Sequence, residues 1–466
     1  MGNAMKAANP DRKGNYRREV GVELRGSAGE PSSAPLSTGG GDGNAVDTSS
    51  LLEKVIDRKN LNQAYKRVVK NGGSHGVDGM KVGELLPYLK QTGESLRQQV
   101  LEGKYQPQPV RRVEIPKPDG GVRQLGIPTV VDRMMQQAIA QVLSPIFEKE
   151  FSASSYGFRP GRSARQAIEQ AAVYMQEGRK TVVDIDLEKF FDRVNHDKLM
   201  SLLAKRIADK RVLRLIRRYL ESGVMSGGLI SPAEEGTPQG GPLSPLLSNV
   251  MLHELDKELE SRGHRFCRYA DDCNIYVRSR KAGNRVMANI SFFIEKRLKL
   301  KVNREKSAVD SPTKRKLLGV SFYRKQDGTG VRVHPKSVER LKEKVRAATK
   351  PTHAMSMEQR VDRLNRIIRG WVNYFKVADM RKQCHRLDEW IRRRLRMCYW
   401  EQLKKIKTRH DHLVRSGIPD RKAWEYANTR KGSWRTAKSP CVSRLLNNNY
   451  FRTLGLTGLS DVYGRS

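Results

Sequence analysis

Acidic residues, paired cysteines and long apolar runs are all scarce in this chain, and each scarcity removes a class of protein. Asp and Glu total 50 of 466 residues against 89 Lys and Arg, a net charge of +39. Self-repulsion on that scale is relieved by a polyanion, and nucleic acid is the foremost candidate because each neutralised phosphate releases condensed counterions. No apolar stretch approaches the ~20 residues that span a bilayer, and Met1 to Val20 lacks the hydrophobic centre of a secretory signal. No membrane partner and a cytoplasmic location are therefore expected. The five cysteines (Cys267, Cys273, Cys384, Cys398 and Cys441) are odd in number, widely spaced and form no CxxC pair. That argues against a disulfide framework and against a zinc site.

The length suggests two to four domains. Gly, Ser and Pro fill half of Gly21 to Ser50, a composition too poor in apolar surface to offset its ordering entropy. Residues 1–50 are expected to be a disordered tail. Leu52, Val55, Ile56, Leu61, Ala64, Tyr65 and Val68 then recur at helical spacing, with a break near Asn60. Val110 to Ile115 and Val122 to Ile127 read as strands around a Pro-Asp-Gly-Gly turn, and Asp132 to Phe147 as a helix. Thr181 to Leu187 and Phe266 to Val277 read as strands that carry acids in apolar surroundings. The mixture predicts an α+β fold over residues 51–330. Beyond, Val361, Leu364, Ile368, Trp371 and Phe375 mark one apolar helix face, with Arg360, Arg363, Arg366 and Arg369 off it. Residues 381–410 hold eleven Lys or Arg against three acids. A helical segment over 331–410 and a basic region over 411–466 complete the expected organisation.

The chemistry concentrates in Tyr269-Ala270-Asp271-Asp272. Adjacent carboxylates repel, and burial raises their pKa values unless a cation is near. A hard cation such as Mg²⁺ prefers carboxylate oxygens. Neighbouring strand residues face opposite ways, so the pair converges only if the turn twists, and a third acid from a neighbouring strand is expected. Asp186 supplies it, with Asp184 as the alternative and Asp192 as a structural residue. Two metal ions roughly 3.5–4 Å apart would stabilise an attacking and a departing oxygen in phosphoryl transfer. By itself the tetrapeptide reads equally as a turn or a strand end.

The order of the segments resembles the group II intron-encoded reverse transcriptases, or maturases. Gly76-Val77-Asp78-Gly79, then Ile115 to Pro128, then Tyr156-Gly157-Phe158-Arg159-Pro160-Gly161-Arg162-Ser163 match its opening blocks. The Asp186 block, Thr237-Pro238-Gln239-Gly240-Gly241-Pro242-Leu243-Ser244-Pro245 and the Tyr269 block follow. Leu317-Leu318-Gly319-Val320-Ser321-Phe322 resembles the segment that grips a primer, and Arg369-Gly370-Trp371-Val372-Asn373-Tyr374-Phe375 the maturase domain. The resemblance implies a right-hand polymerase with fingers and palm, a helical thumb and a basic C-terminal region. It implies an RNA-directed DNA polymerase with an RNA template, a DNA primer, dNTP substrates and intron RNA as partners, using two Mg²⁺ ions or Mn²⁺ in their place. Asp186, Asp271 and Asp272 become the catalytic metal ligands. Phe191, five residues beyond Asp186, becomes the gate against a ribose 2′-OH. Lys117, Arg123 and Gln239 are expected around the incoming nucleotide. Arg159 is expected on the template, and Arg392, Arg393, Arg394 and Arg396 on RNA, with Trp390 and Trp400 in the core. No His-Asn-His cluster follows Leu454-Gly455-Leu456, so the resemblance is to the endonuclease-lacking, group IIC-like members. Two other readings stay open: an RNA-binding splicing cofactor with a vestigial polymerase, and a domesticated defence or repair reverse transcriptase.

Overall fold

β-Branched and aromatic residues concentrate in ten short strands among the residues described by the computed structural model, which are 48–464 except 117–119, 227–228, 232–234, 238–239 and 327. In chain order these are β1 (Val110–Pro116), β2 (Val122–Ile127), β3 (Thr181–Ile185), β4 (Val224–Ser226), β5 (Leu229–Ser231), β6 (Arg265–Tyr269), β7 (Asp272–Val277), β8 (Ala308–Asp310), β9 (Val320–Lys325) and β10 (Gly328–Val333). The expected N-terminal tail falls almost wholly outside the described residues.

One four-stranded sheet runs β2-β1-β4-β5, and a second runs β6-β7-β3-β8 with every pairing antiparallel. β9 and β10 form a separate hairpin. The second sheet carries the candidate acids, and its side chains divide strictly by strand alternation. Val183, Ile185, Phe266, Cys273 and Ile275 join a core shared with the N-terminal helices. Val182, Cys267 and Tyr276 join a second core shared with the β9–β10 hairpin and the C-terminal helices. The sheet is thus buried on both faces, which explains why its strands read as near-continuous apolar runs.

The break expected near Asn60 occurs at Asp57, between helices Leu51–Ile56 and Arg58–Asn71. The Asp57 carboxylate caps the second helix by accepting from the Lys59 and Asn60 amides. The helix Val130–Glu148 is buried around most of its circumference and centres the first core.

After β10 the chain is helical: Pro335–Ala348, Met357–Phe375 and Arg381–Gln402, then short helices to Gly464. Residues beyond 410, including Leu413, Val442, Phe451 and Leu459, share the second core with these three helices. Asp388 ties the end back, accepting from the Leu459 amide at 2.6 Å and the Ser460 amide at 3.0 Å. Arg360, expected off the apolar face, is instead fully buried. It donates to the Ala348, Lys350 and His353 carbonyls, satisfying the C-terminal end of the preceding helix. All five cysteines are buried and unpaired. No helix among the described residues is long and apolar enough to cross a membrane.

Candidate active site

The acid pair sits at the tip of the β6–β7 hairpin. Tyr269 pairs with Asp272, leaving Ala270 and Asp271 as a two-residue loop. Such loops need a left-handed residue at their first position, and Ala270 takes it with φ 57°. A residue with a Cβ is strained there, and the surrounding structure must impose it. Two contacts do so. The Arg268 guanidinium donates to the Ala270 carbonyl at 3.0 Å. The Gly157 backbone packs on the Tyr269–Ala270 peptide so closely that any side chain at 157 would collide with the Ala270 nitrogen.

Arg268 is itself held by a buried network. Its side chain and that of Asp256 are both 0% exposed, joined by two bonds of 2.6 Å. It also donates to Asn249 at 3.1 Å and Ser155 at 2.8 Å, and Asn249 donates to the Gly157 carbonyl at 2.9 Å. Composition hides this quartet, because Arg268 and Asp256 read as two charges among many.

β3 lies beside β7 with Asp184 opposite Asn274 and Ile185 opposite Cys273. Continuing that register sets Asp186 opposite Asp272 at the strand ends. The Asp186 backbone is pinned on its far side: its amide donates to Ser307 Oγ at 3.0 Å and its carbonyl accepts from the Asn303 amide at 2.8 Å. Asp184, the alternative ligand, is engaged elsewhere by Arg315 at 2.6 Å.

The carboxylates feel one another. Desolvation, then repulsion from Asp271, Asp184 and Asp186, pushes the Asp272 carboxyl up to about 7, with Lys316 pulling the other way. Desolvation likewise raises Asp271, and Arg123 opposes that rise. Arg123 therefore stands within electrostatic reach of the acid pair, on the exposed start of β2. Among the described residues no three acidic, histidine or cysteine side chains already close on one point at ligating distance. The donor set, carboxylate oxygens in mutual repulsion, fits a hard divalent cation. The sign of the linkage is testable in cation-free protein. A carboxyl raised from 3.8 to about 7 binds its proton more tightly in the fold, so its stabilising contribution is complete below about 3.8 and is lost as pH rises through about 7. Thermal unfolding should show the larger stabilisation by added divalent cation above that window, and Asp272→Asn should flatten the difference. Equal stabilisation at both ends in wild type would remove the acids as the cation's seat.

Phe190 is core, and Phe191 lies against it edge-on with centroids 5.1 Å apart, half-buried in the short turn that follows β3. The Phe191 carbonyl accepts from the Thr237 amide at 2.6 Å, and a side chain at Gly236 would strike the Phe191 and Asp192 backbones. Gly240 and Gly241 make similarly close approaches to the Gly126 carbonyl and the Gln136 side chain. Gly236 is thereby set against the Phe191 backbone and Gly240 against β2. Lys117 and Gln239 lie outside the described residues.

A contribution from the distant maturase-like segment was not legible in sequence. Leu318 adopts φ 48°, and its carbonyl accepts from the Tyr374 hydroxyl at 3.1 Å. A side chain at Gly319 would meet the Phe375 ring. Tyr374 is close enough to Tyr269 and Asp272 for both to raise its phenol, after desolvation, to about 12.

Four of the arginines expected on nucleic acid also make bonds within the fold. Arg159 is buried, ion-paired to Glu148 at 2.7 Å and bonded to the Ser152 and Ser155 carbonyls. Arg393 donates to the Trp434 carbonyl and lies 3.8 Å over its ring. Arg394 bonds Thr349, and Arg396 the Leu446 carbonyl. These four guanidiniums satisfy the protein's own polar groups. Arg392 is half-buried.

Residues 115–322 match the model of the reverse transcriptase (RNA-dependent DNA polymerase) family, and residues 338–417 match the group II intron maturase-specific domain. The chain is 34% identical over 299 residues to protein YkfC of Escherichia coli, covering 56% of this chain and 78% of that protein. It is 35% identical over 195 residues to the group II intron-encoded protein LtrA of Lactococcus lactis, covering 42% of this chain and 32% of LtrA. This chain belongs to the group II intron-encoded reverse transcriptases. A putative COX1/OXI3 intron 2 protein of Saccharomyces cerevisiae matches this reverse transcriptase at 33% identity over 216 residues, 46% of the chain and 25% of that relative. The chain thus spans about a third or less of the two longer relatives, but most of YkfC. Divalent metal dependence accompanies the family.

Proposed function

We propose that this reverse transcriptase extends a DNA primer 3′-OH with dNTPs on an RNA template and binds group II intron RNA to assist splicing and mobility. The observation that carries the polymerase reading is the register that sets Asp186 opposite Asp272, beneath a hairpin tip bearing Asp271. Asp186, Asp271 and Asp272 would hold two Mg²⁺ ions, or Mn²⁺ in their place, which when bound supply charge stabilisation for the attacking and departing oxygens.

The remaining residues position the substrates. Arg123, on β2 and within electrostatic reach of Asp271, would pair with triphosphate oxygens; Lys117 and Gln239 would add contacts to the phosphates and the nascent pair. The Phe191 ring excludes a 2′-OH by bulk. Leu318, held by Tyr374, would set the primer end. Residues 51–330 then serve as fingers and palm and 331–410 as thumb, with 411–466 continuing the thumb's core.

Primer extension on matched RNA and DNA templates with dNTPs and Mg²⁺ tests this reading. Extension on RNA is expected; RNA binding without extension on either template would favour the splicing cofactor, and extension on DNA alone a repair polymerase. In the same assay Phe191→Val should admit ribonucleotides, reducing dNTP over rNTP discrimination by roughly 10–200-fold. Unchanged discrimination would remove Phe191 as the gate.

A further inference from the structure

A cavity of about 700 Å³ opens between β9, the helix Pro335–Ala348, the first turns of the helix Arg381–Gln402 and Tyr463. None of the acids at the β6–β7 tip lines it. Three of its wall residues, Arg381, Lys382 and Arg386, are exposed cations whose side chains have no ion-pair or hydrogen-bond partner among the described residues. Lys342 adds a fourth charge, only loosely held by Glu339 at 3.5 Å. The acid on the wall, Asp379, is already engaged by Lys325 at 2.9 Å and the Tyr323 hydroxyl at 2.9 Å. The cavity therefore presents uncompensated positive charge.

Local helix rules are broken at the same place. Arg381 and Lys382 occupy the first turn of a 22-residue helix with no acid in that turn and no side-chain cap. Cations at that end oppose the helix dipole. No internal contact compensates, and a local conflict of this kind points to function. An anion seated against the two side chains would resolve it.

The wall also carries rings. Trp390 is half-buried and lines the cavity with Tyr323 and Tyr463, and the Arg346 guanidinium stands 5.9 Å from the Trp390 ring centre. Cations that track a phosphate backbone beside a ring that stacks a base are the elements that hold unpaired strands. Size selects between strand and duplex: the cavity accommodates one nucleotide, whereas an A-form helix is gripped across its grooves.

We propose that this cavity binds one unpaired nucleotide of a single-stranded nucleic acid, with its phosphate on Arg381, Lys382 and Arg386 and its base against Trp390. The assignment deepens the reading of the chain as a nucleic-acid enzyme, and its test is independent of polymerisation. The full chain is titrated with labelled oligouridylate, oligothymidylate and a blunt RNA duplex of equal length, read by fluorescence anisotropy over a range of salt. The variant Arg381→Ala/Lys382→Ala/Arg386→Ala is compared with Lys296→Ala/Arg297→Ala/Lys299→Ala, which removes the same charge from another exposed surface.

The cavity variant should lose roughly tenfold or more in single-strand affinity relative to the control, and its log–log salt slope should fall by about 2 for three lost phosphate contacts. Duplex affinity should differ little between the two variants. Loss confined to oligouridylate identifies the ligand as RNA; equal loss on both strands identifies any unpaired strand. Tryptophan quenching by the bound strand should diminish in Trp390→Phe, which keeps an aromatic ring in the wall. Equal losses in both triple variants, or a duplex loss as large as the single-strand loss, would overturn the proposal. Wild-type primer extension is measured alongside, so that failure of the polymerase reading is seen separately.

Discussion

Asp272→Ala should reduce DNA primer extension on an RNA template by roughly 10³-fold or more, the scale at which a group that stabilises transition-state charge acts. Asp271→Ala and Asp186→Ala should do the same. RNA affinity should stay within about twofold, because phosphate contacts made by the basic surface dominate it. The reason lies in the site's electrostatics: Asp272 is raised to about 7 by desolvation and by its neighbours Asp271, Asp184 and Asp186. Removing it relieves repulsion, so the folded chain should gain rather than lose stability without cation. Activity and stability then move in opposite directions, which a misfolded variant would not show. Asp184→Asn makes the contrast, since Arg315 already engages that carboxylate; it should unsettle the strand end but retain extension. Robust extension by Asp272→Ala, or its complete loss in Asp184→Asn with the fold intact, would reverse the assignment of ligands.

The second large effect concerns stability. Asp256→Ala leaves the Arg268 guanidinium, 0% exposed, without its carboxylate. Breaking a buried pair from one side costs about 3–5 kcal/mol, because a desolvated charge is left behind. The double variant Arg268→Met/Asp256→Leu should recover most of that loss, since apolar replacement of a buried pair is often neutral. It should not recover polymerisation, because the bond from Arg268 to the Ala270 carbonyl is gone and the left-handed turn carrying Asp271 loses a support. Urea unfolding and primer extension on the same three proteins separate the two roles. Full activity in the stable double variant would show that the turn holds without Arg268.

Much of this was legible in sequence. Strand alternation and turn residues located β1, β2, β3 and the β6–β7 hairpin, and the ordered motifs pointed to the family. What stayed hidden shares a cause: a charge's partner within the fold is set by tertiary distance, not by its neighbours in the chain. Arg159, Arg393, Arg394 and Arg396 read as free cations, yet they bond carbonyls and side chains brought in by the fold, such as Trp434 and Leu446. Arg268 reads as one more surface charge inside a strand, yet it organises the hairpin through Asp256, twelve residues away on a helix. Arg360 carries no sign of its burial, because the carbonyls it satisfies belong to the end of another helix and its following loop. The support that Tyr374 gives Leu318 spans 56 positions and leaves no local pattern.

The two cores flanking the acid-bearing sheet also set a schedule. The first draws on residues from Leu51 to Val302, and the second is not complete until Leu459. A ribosome moving at about 5–20 residues per second needs roughly eight to thirty seconds to cover the interval. During that time one face of the sheet is finished and the other, with Val182, Cys267 and Tyr276, awaits its cover. Nascent chains halted in this window should be sticky, and a gene truncated near β8 should yield aggregates rather than a smaller enzyme. The thumb is, in that sense, the lid under which the palm matures.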